Sequence, residues 1–271
     1  MTKLLVATGR GPNGVSKRSV EVVNLDQSRP NMTCENLPDF PLQLETATGQ
    51  LFRGTTPILC GGSNGVLYKN CFALENGNWN PIASLSEGKY GLGSGALTLP
   101  NTSEEIMLVF GGFSSSGLLA TVESFDGVTW NGDGIADMAE PVWLHCVVKI
   151  NSTTLFSIGG FSSFGRTDET WFYNIDRNEW YAGPKLNTSR DSHSCEKITW
   201  QNASTGQYED VVIVAGGFYD DIRYLNSVKF LFLNDPNAGW TVGPDMPWVA
   251  YGQTMVEYQV LISHGKCSDK L

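Results

Sequence analysis

The 271-residue chain lacks most of the features that identify an enzyme or a membrane protein. No apolar run approaches the roughly 20 residues needed to span a bilayer. No Cys-x-x-Cys spacing occurs, which argues against a zinc site. A Gly-x-Ser-x-Gly elbow, a His-Glu-x-x-His pair and a phosphate loop are also missing. These absences favour a non-catalytic protein without a metal or other cofactor.

Positive charge is scarce as well. The chain has 18 Lys and Arg against 28 Asp and Glu, a formal net charge of −10. A nucleic-acid partner would need a basic surface, so this class of partner is disfavoured. The segment 1–6 enters a repeat too soon for a signal peptide, so we expect either a cytosolic chain or a mature domain with an added methionine.

What the sequence does contain is a repeat built on an apolar strand that runs into a glycine doublet. The clearest copy is 106–113, and further copies are 57–62, 155–160 and 212–217, with a degenerate copy at 4–9. The second glycines of the four full copies lie 50, 48 and 57 residues apart. A period of this length indicates a repeat architecture in which each unit is one supersecondary element.

The rest of each unit predicts three further strands. After the doublet come a second strand, a strand with one tryptophan, and an inner strand that leads to the next doublet. The second strands are 68–74, 120–125, 170–175 and 227–233; the tryptophans are Trp79, Trp130, Trp180 and Trp240; the inner strands are 90–99, 142–150, 192–199 and 251–258. A four-stranded sheet with two apolar faces is not stable alone, whereas radial stacking buries both faces.

Together, the tandem doublets, the apolar lead-in and the downstream tryptophan resemble the kelch repeat of β-propellers. The resemblance covers nearly the whole chain and implies an all-β, kelch-type propeller of four-stranded antiparallel blades, one domain over 1–271. It implies that the glycines and tryptophans are scaffold. The first unit departs from the pattern, since 9–11 replaces the doublet and 34–38 takes the place of the outer strand.

The strand count predicts how the ring closes. The chain begins on a second strand and ends with a spare inner strand, 251–258, which would join the N-terminal blade and close a ring of five blades. Six blades remain the alternative, because kelch propellers more often have six and 260–265 resembles a further doublet strand. We interpret 260–271 as a C-terminal extension.

The six cysteines suggest disulfides. Cys60 and Cys71 face each other across a predicted hairpin, where opposed Cβ atoms are close enough to bridge. Cys34 and Cys267 would both lie in the blade closed by the chain ends, and a bridge there would clamp the ring. Cys146 and Cys195 fall on inner strands of adjacent blades and either pair or stay free.

Five Asn-x-Ser/Thr sequons fall between the predicted strands, where a glycan is tolerated. They are Asn31, Asn101, Asn151, Asn187 and Asn202. With the even cysteine count they favour an extracellular, secreted glycoprotein; a cytoplasmic protein is the alternative.

His145 and His193 take equivalent places on neighbouring inner strands, which is similar to the copper-binding kelch propeller of galactose oxidase. No tyrosines accompany them in the pattern that chemistry needs, so we expect a structural role and no metal. Asp220 and Asp221 are cation-ligand types, but exposed loop acids are more often simply solvated.

Specific function is expected in the loops that follow the doublets, because aromatic and arginine side chains dominate interface energetics. The candidate binding residues on one face are Phe164, Arg166, Arg190, Tyr219 and Arg223. We expect a non-catalytic interaction module that binds a protein or glycan partner. The alternatives are an intracellular kelch protein, either a substrate receptor of a ubiquitin ligase or an actin-binding propeller, and a kelch-type copper oxidase or sugar isomerase.

Overall fold

The computed structural model describes residues 3–10, 14–24, 37–100, 102–201, 206–235 and 238–252. These ranges contain β-strands and turns but no α-helix, and so no helix long and apolar enough to cross a membrane. The strands pair into four antiparallel sheets of four strands, two of three strands and one of two. The chain is therefore all-β.

The four-stranded sheets follow one another along the chain, after an N-terminal hairpin of β1 (Lys3–Arg10) and β2 (Ser16–Asn24). Sheet I contains β3 (Thr48–Phe52), β4 (Thr56–Cys60), β5 (Cys71–Glu75) and β6 (Asn78–Ile82). Sheet II contains β8 (Gly93–Thr98), β9 (Glu105–Phe110), β12 (Val122–Phe125) and β13 (Trp130–Asn131). Sheet III contains β15 (Cys146–Asn151), β16 (Thr154–Ile158), β19 (Thr170–Asn174) and β20 (Glu179–Ala182). Sheet IV contains β21 (Ser194–Gln201), β22 (Tyr208–Ala215), β23 (Val228–Phe232) and β24 (Thr241–Val242).

Six very short strands complete the set, all in the connections at one end of the sheets. They are β7 (Lys89–Tyr90), β10 (Phe113–Ser114), β11 (Gly117–Leu118), β14 (Val142–Trp143), β17 (Phe161–Ser162) and β18 (Gly165–Arg166). They form the two three-stranded sheets, with the orders β7-β10-β11 and β14-β17-β18.

The strands before the doublets are buried on both faces. Every residue of β16 is buried, as are five of the six residues of β9. This explains why those segments are almost continuously apolar instead of alternating. Packing on both faces means that sheets II and III are covered by their neighbours in the chain.

Neighbouring sheets meet through apolar clusters, and their inner strands β3, β8, β15 and β21 contact one another in chain order. Each cluster contains one of the repeated tryptophans, the first of them between the N-terminal hairpin and sheet I. Three indoles also donate to a carbonyl in the preceding connection: Trp130 to Ala83 at 3.0 Å, Trp180 to Ala136 at 2.9 Å and Trp240 to Pro184 at 2.8 Å. The arrangement is propeller-like, with successive sheets packed face to face.

The glycine doublets provide close contacts between sheets. A Cβ atom on Gly111 would lie 2.4 Å from the Val142 carbonyl oxygen, and its φ of 64° is in the left-handed region. The N–H of each second glycine donates to a carbonyl in the connection that follows its sheet: Gly62 to Lys89 at 2.9 Å, Gly112 to Val142 at 2.8 Å, Gly160 to Arg190 at 2.8 Å and Gly217 to Ala250 at 2.7 Å.

The degenerate first copy makes the same contact. Gly9 donates to the Leu44 carbonyl at 2.9 Å, and Thr8 has a φ of 64°. The doublet position is thus taken by Thr8 and Gly9, which end the degenerate copy 4–9. A threonine in the left-handed conformation does what the first glycine does elsewhere, which explains why the motif was obscured.

A backbone ladder connects the segments that lead into the inner strands. Five residues at equivalent places have positive φ: Thr46, Gly91, Leu144, Ser192 and Gly252. The N–H of each of the last four donates to the carbonyl of the one before, at 3.0, 2.9, 3.0 and 2.7 Å. The left-handed residue also interrupts the strand, so the predicted inner strands 90–99 and 142–150 are each divided into a short lead-in strand and the inner strand proper.

Two disulfides are present. Cys60–Cys71 joins directly opposed residues of β4 and β5, with Cα atoms 4.2 Å apart, which confirms the predicted pair. Cys146–Cys195 joins the inner strands of sheets III and IV, with Cα atoms 6.0 Å apart, so these two cysteines are paired and not free. Cys34 and Cys267 lie outside the described residues.

The described sheets do not close into a ring. Most of the predicted closing strand 251–258, and the whole extension 260–271, lie outside the described residues.

Candidate binding face

One end of the sheets carries a set of short, ordered loops, which we call the loop face. It consists of the loops after the doublets and the segments that lead into the inner strands. In each of the four described units, one residue of the lead-in segment pairs through its backbone with one residue of the loop after the doublet. That residue pairs in turn with a second residue of the same loop. The rows are Glu45–Ser63–Leu67, Tyr90–Phe113–Leu118, Trp143–Phe161–Arg166 and Asp191–Phe218–Tyr224. The loops are therefore held in place by backbone pairing.

Aromatic side chains join the second and third rows and pack within the third and fourth. Trp143 contacts both Tyr90 and Phe113 of the preceding unit, with ring centroids 5.1 and 5.5 Å apart. Phe161 lies beside Trp143, and Phe218 beside Tyr224. Phe113 and Phe161 are only partly exposed, so their main role is packing.

Arg166 links the loops of sheets III and IV. Its Nε lies 2.6 Å from a carboxylate oxygen of Asp191, and its Nη1 lies 3.0 Å from one of Asp221. The guanidinium carbon is 5.5 Å from the ring centre of Phe161 and 5.8 Å from that of Phe218. Burial raises the pKa of Asp191, and the Arg166 cation opposes that shift. With 16% of its side chain exposed, Arg166 positions loops more than it offers a free charge.

Arg190 does not lie on the face, contrary to the expectation from sequence. It is fully buried, and its guanidinium donates to the Gly216 carbonyl at 3.0 Å and to the Ser227 hydroxyl at 3.1 Å. Burial lowers its pKa to about 10. Lys89, at the equivalent place two units earlier, is also fully buried and pairs with Glu123. Both residues extend a long cationic side chain between two sheets. Comparing Lys89 with Arg190 in the sequence would have indicated that Arg190 is buried.

The other three candidates are accessible. Phe164 is 97% exposed at the tip of the β17–β18 turn, where the Ser162 hydroxyl accepts from its N–H. Tyr219 is 38% exposed, and the Arg223 guanidinium lies 4.4 Å from its ring centre and pairs with Asp220. The structure thus brings Tyr219 and Arg223 together and leaves Phe164 on a separate tip.

An open groove of about 760 Å³ lies beside Tyr219 and Arg223. Its other lining residues are Asp168, Asn187, Thr188, Ser189, Ile222, Tyr224, Leu225 and Val249.

Sequence reasoning missed several exposed apolar residues of this face. Val66 is 63% exposed and Ile222 82% exposed, each at a loop tip equivalent to that of Phe164. Trp248, Val249 and Tyr251 are more than half exposed in the segment that leads out of sheet IV. The signal was local: Val66 follows Asn-Gly and Ile222 follows Asp-Asp, so both apolar residues directly follow turn-forming residues.

The two histidines are packing residues. A Cβ on Gly111 would lie 3.0 Å from the His145 ring, and one on Gly159 would lie 2.9 Å from the His193 ring. Leu92 fills the same place beneath Gly61. Burial lowers the pKa of His145 to about 4 and that of His193 to about 3, the latter with help from Arg190 and His145.

No group of three or more His, Cys, Asp or Glu able to hold a metal ion occurs in the described part of the chain. Asp220 accepts from the N–H groups of Ile222 and Arg223, at 3.1 and 2.8 Å, and so shapes a turn. Asp221 pairs with Arg166.

Two of the five sequon asparagines are described, and both are exposed. Asn151 lies in the β15–β16 turn, where its side-chain oxygen accepts from the Thr153 N–H at 2.9 Å. Asn187 lies in the connection from sheet III to sheet IV, on the edge of the groove. Asn31, Asn101 and Asn202 lie outside the described residues.

No family model matches the chain, and no curated protein matches it. Among solved structures, that of YjhT is similar, with a TM-score of 0.68 and 14% sequence identity. The match covers 93% of this chain and 83% of that chain. At this identity the likeness concerns the fold alone.

Proposed function

We propose that the protein is a secreted interaction module, built as a kelch-type β-propeller of five blades, that binds a protein or glycan partner through the loop face. The observation that carries this proposal is the set of exposed apolar tips Val66, Phe164 and Ile222 on ordered loops at one end. The three side chains lie on separate loops at the same end of the sheets, and their burial against a partner would favour association.

Five blades are supported by the backbone contacts. The doublet contact occurs five times, from Gly9 to Gly217, and the ladder has five left-handed positions, from Thr46 to Gly252. A strand after Gly252, paired with β1, would complete the N-terminal blade. Six blades would need a sixth lead-in segment, and the described residues supply five.

A protein is the partner that the tips favour most. Phenylalanine and isoleucine side chains on loop tips are suited to pockets on another protein, where burial of each contributes about 1.5–3 kcal/mol. The net charge of −10 and the exposed Asp221 carboxylate favour a partner with a basic rim. The groove beside Tyr219 is the feature that favours a glycan partner instead.

Secretion is supported by the two disulfides, which persist in oxidising compartments. A cytoplasmic substrate receptor or actin-binding propeller would carry free thiols. The copper-enzyme alternative loses support because His145 and His193 are packing residues; metal analysis of the purified protein tests it.

The binding proposal is tested with the double variant Phe164→Asp/Ile222→Asp. Wild-type protein is used to capture partners from the extracellular medium in which it occurs, and each recovered partner is then titrated. We expect affinity to fall at least about 30-fold, as for the loss of a central apolar contact.

Val128→Asp is the matched control. Val128 is 75% exposed on the β12–β13 turn, at the opposite end of sheet II, because successive antiparallel strands alternate ends. The proposal fails if the tip variant binds every partner as tightly as the control does.

A further inference from the structure

The groove beside Tyr219 is lined by both polar and apolar side chains. Asp168, Asn187, Thr188 and Ser189 supply the polar groups. Tyr219, Ile222, Tyr224 and Val249 supply the apolar wall, and they are 38%, 82%, 42% and 52% exposed. Its volume of about 760 Å³ is within the range of small-molecule sites. A sugar ring has the same division, with an apolar C–H face and a polar rim of hydroxyl groups.

A sugar can be attached at the edge of this groove. Asn187 begins the sequon Asn187-Thr188-Ser189, and all three residues line the groove. The Asn187 side-chain nitrogen donates to the Trp240 carbonyl at 3.4 Å, which uses one of its two hydrogens. The second hydrogen is the one that glycosylation replaces, so the contact with Trp240 is compatible with an attached glycan.

We propose that Asn187 carries an N-linked glycan whose first N-acetylglucosamine lies in this groove, against Tyr219 and Ile222. In the attachment step the Asn187 amide nitrogen loses a proton and bonds to C1 of the sugar. The diphosphate of a lipid-linked oligosaccharide donor leaves with the electrons of the broken C1–O bond. The proposal rests on the proposed secretion, because that donor and its transferase belong to the secretory pathway.

Covalent attachment makes a weak sugar contact effective. A ligand held by a short linker has an effective concentration in the millimolar range, so an affinity too low for a free sugar suffices. The glycan would cover the exposed wall residues next to sheet IV. A partner would then meet the loop face on the side of Phe164, with the glycan at its border.

Asn151 provides a matched control. Its sequon lies in the β15–β16 turn, at the opposite end of the sheets from the loop face, and it is exposed. A glycan there lies away from the Tyr219 groove.

The test uses the full chain, secreted from eukaryotic cells and trimmed with an endoglycosidase to a single N-acetylglucosamine at each site. Peptide mass spectrometry measures occupancy at Asn187 and Asn151. NMR then examines contacts between the N-acetyl methyl group and the Tyr219 ring. Ser189→Ala and Thr153→Ala each remove one sequon without altering its asparagine.

We expect Asn187 to be occupied, with a methyl-to-ring contact that Ser189→Ala abolishes. The melting temperature should fall by about 2–4 °C in Ser189→Ala and stay unchanged in Thr153→Ala. The unglycosylated protein, given free chitobiose at millimolar concentration, should show the same Tyr219 contact only weakly.

The inference is overturned if Asn151 is occupied and Asn187 is not, or if Asn187 is occupied without the contact and the temperature shift; in both cases secretion stands. If neither site is occupied in secreted material, the inference fails alone. If the chain cannot be secreted in folded form, the proposed localisation fails with it. Partner binding is judged separately, by the Phe164 and Ile222 variants.

Discussion

Acid should destabilise this fold through two particular side chains, His145 and His193. Both are buried beneath glycine doublets, His193 near the Arg190 cation, and burial is the main cause that lowers their pKa values to about 4 and about 3. In the unfolded chain each pKa returns to 6.5. The unfolded state therefore binds more protons as the pH falls below 6.5, and folding stability falls with it.

The magnitude follows from linkage. Each histidine costs about 1.4 kcal/mol of folding stability at pH 5.5 and about 2.6 kcal/mol at pH 4.5, relative to neutral pH. For the pair this is about 5 kcal/mol at pH 4.5, a large part of the 5–15 kcal/mol typical of a domain. The loss is complete only below the folded pKa values.

Leucine is the substitution that isolates this effect, because Leu92 already fills the same place in sheet II. In His145→Leu/His193→Leu we expect stability at pH 7.5 within about 1 kcal/mol of wild type, since neither nitrogen of His145 has a hydrogen-bond partner among the described residues. At pH 4.5 the variant should be more stable than wild type by about 5 kcal/mol.

Urea unfolding followed by tryptophan fluorescence, at pH 7.5, 5.5 and 4.5, measures the difference. All other ionisable groups are the same in both proteins, so their contributions cancel in the comparison. The reasoning is refuted if the difference between variant and wild type is the same at all three pH values.

Two further predictions concern the scaffold. Gly111→Ala should lower the free energy of unfolding by at least about 3 kcal/mol, because the new Cβ would lie 2.4 Å from the Val142 oxygen at a φ of 64°. The control Gly54→Ala, with a φ of 69° and no atom within 4 Å of the new Cβ, should lower it by only about 1–2 kcal/mol. Equal losses of the two variants in urea unfolding would contradict the close-approach argument. Replacing both Cys146 and Cys195 by serine should lower stability by about 2–4 kcal/mol, since their bridge spans a separation of 49 residues. An unchanged urea midpoint would mean that the bridge does not form in solution.

The sheets could be predicted from the sequence because the pattern that specifies each sheet is local and recurs in every unit. An apolar strand before a glycine doublet must be buried on both faces, and the four copies agree with one another. The Cys60–Cys71 bridge followed from the same regularity, since a hairpin of known ends fixes which residues are opposed. The first doublet is degenerate because its first place is taken by Thr8, in a backbone conformation that threonine seldom takes.

The face could be predicted only in part, because exposure there depends on neighbouring units. Arg166 and Arg190 both come from loop segments rich in turn residues, and nothing local separates them. Arg190 is buried because its guanidinium donates to the carbonyl of Gly216 and to the hydroxyl of Ser227. Arg166 is drawn toward Asp191 and Asp221 of the following unit.

The contacts that hold the loops of this face in place are mainly backbone hydrogen bonds. The ladder through Gly91 and Leu144, and the doublet contacts, consist of N–H to carbonyl bonds that constrain few side chains. Side chains at the tips are then free to differ between units without loss of the fold. Val66, Phe164 and Ile222 remain exposed at these tips, where burial against a partner would favour binding.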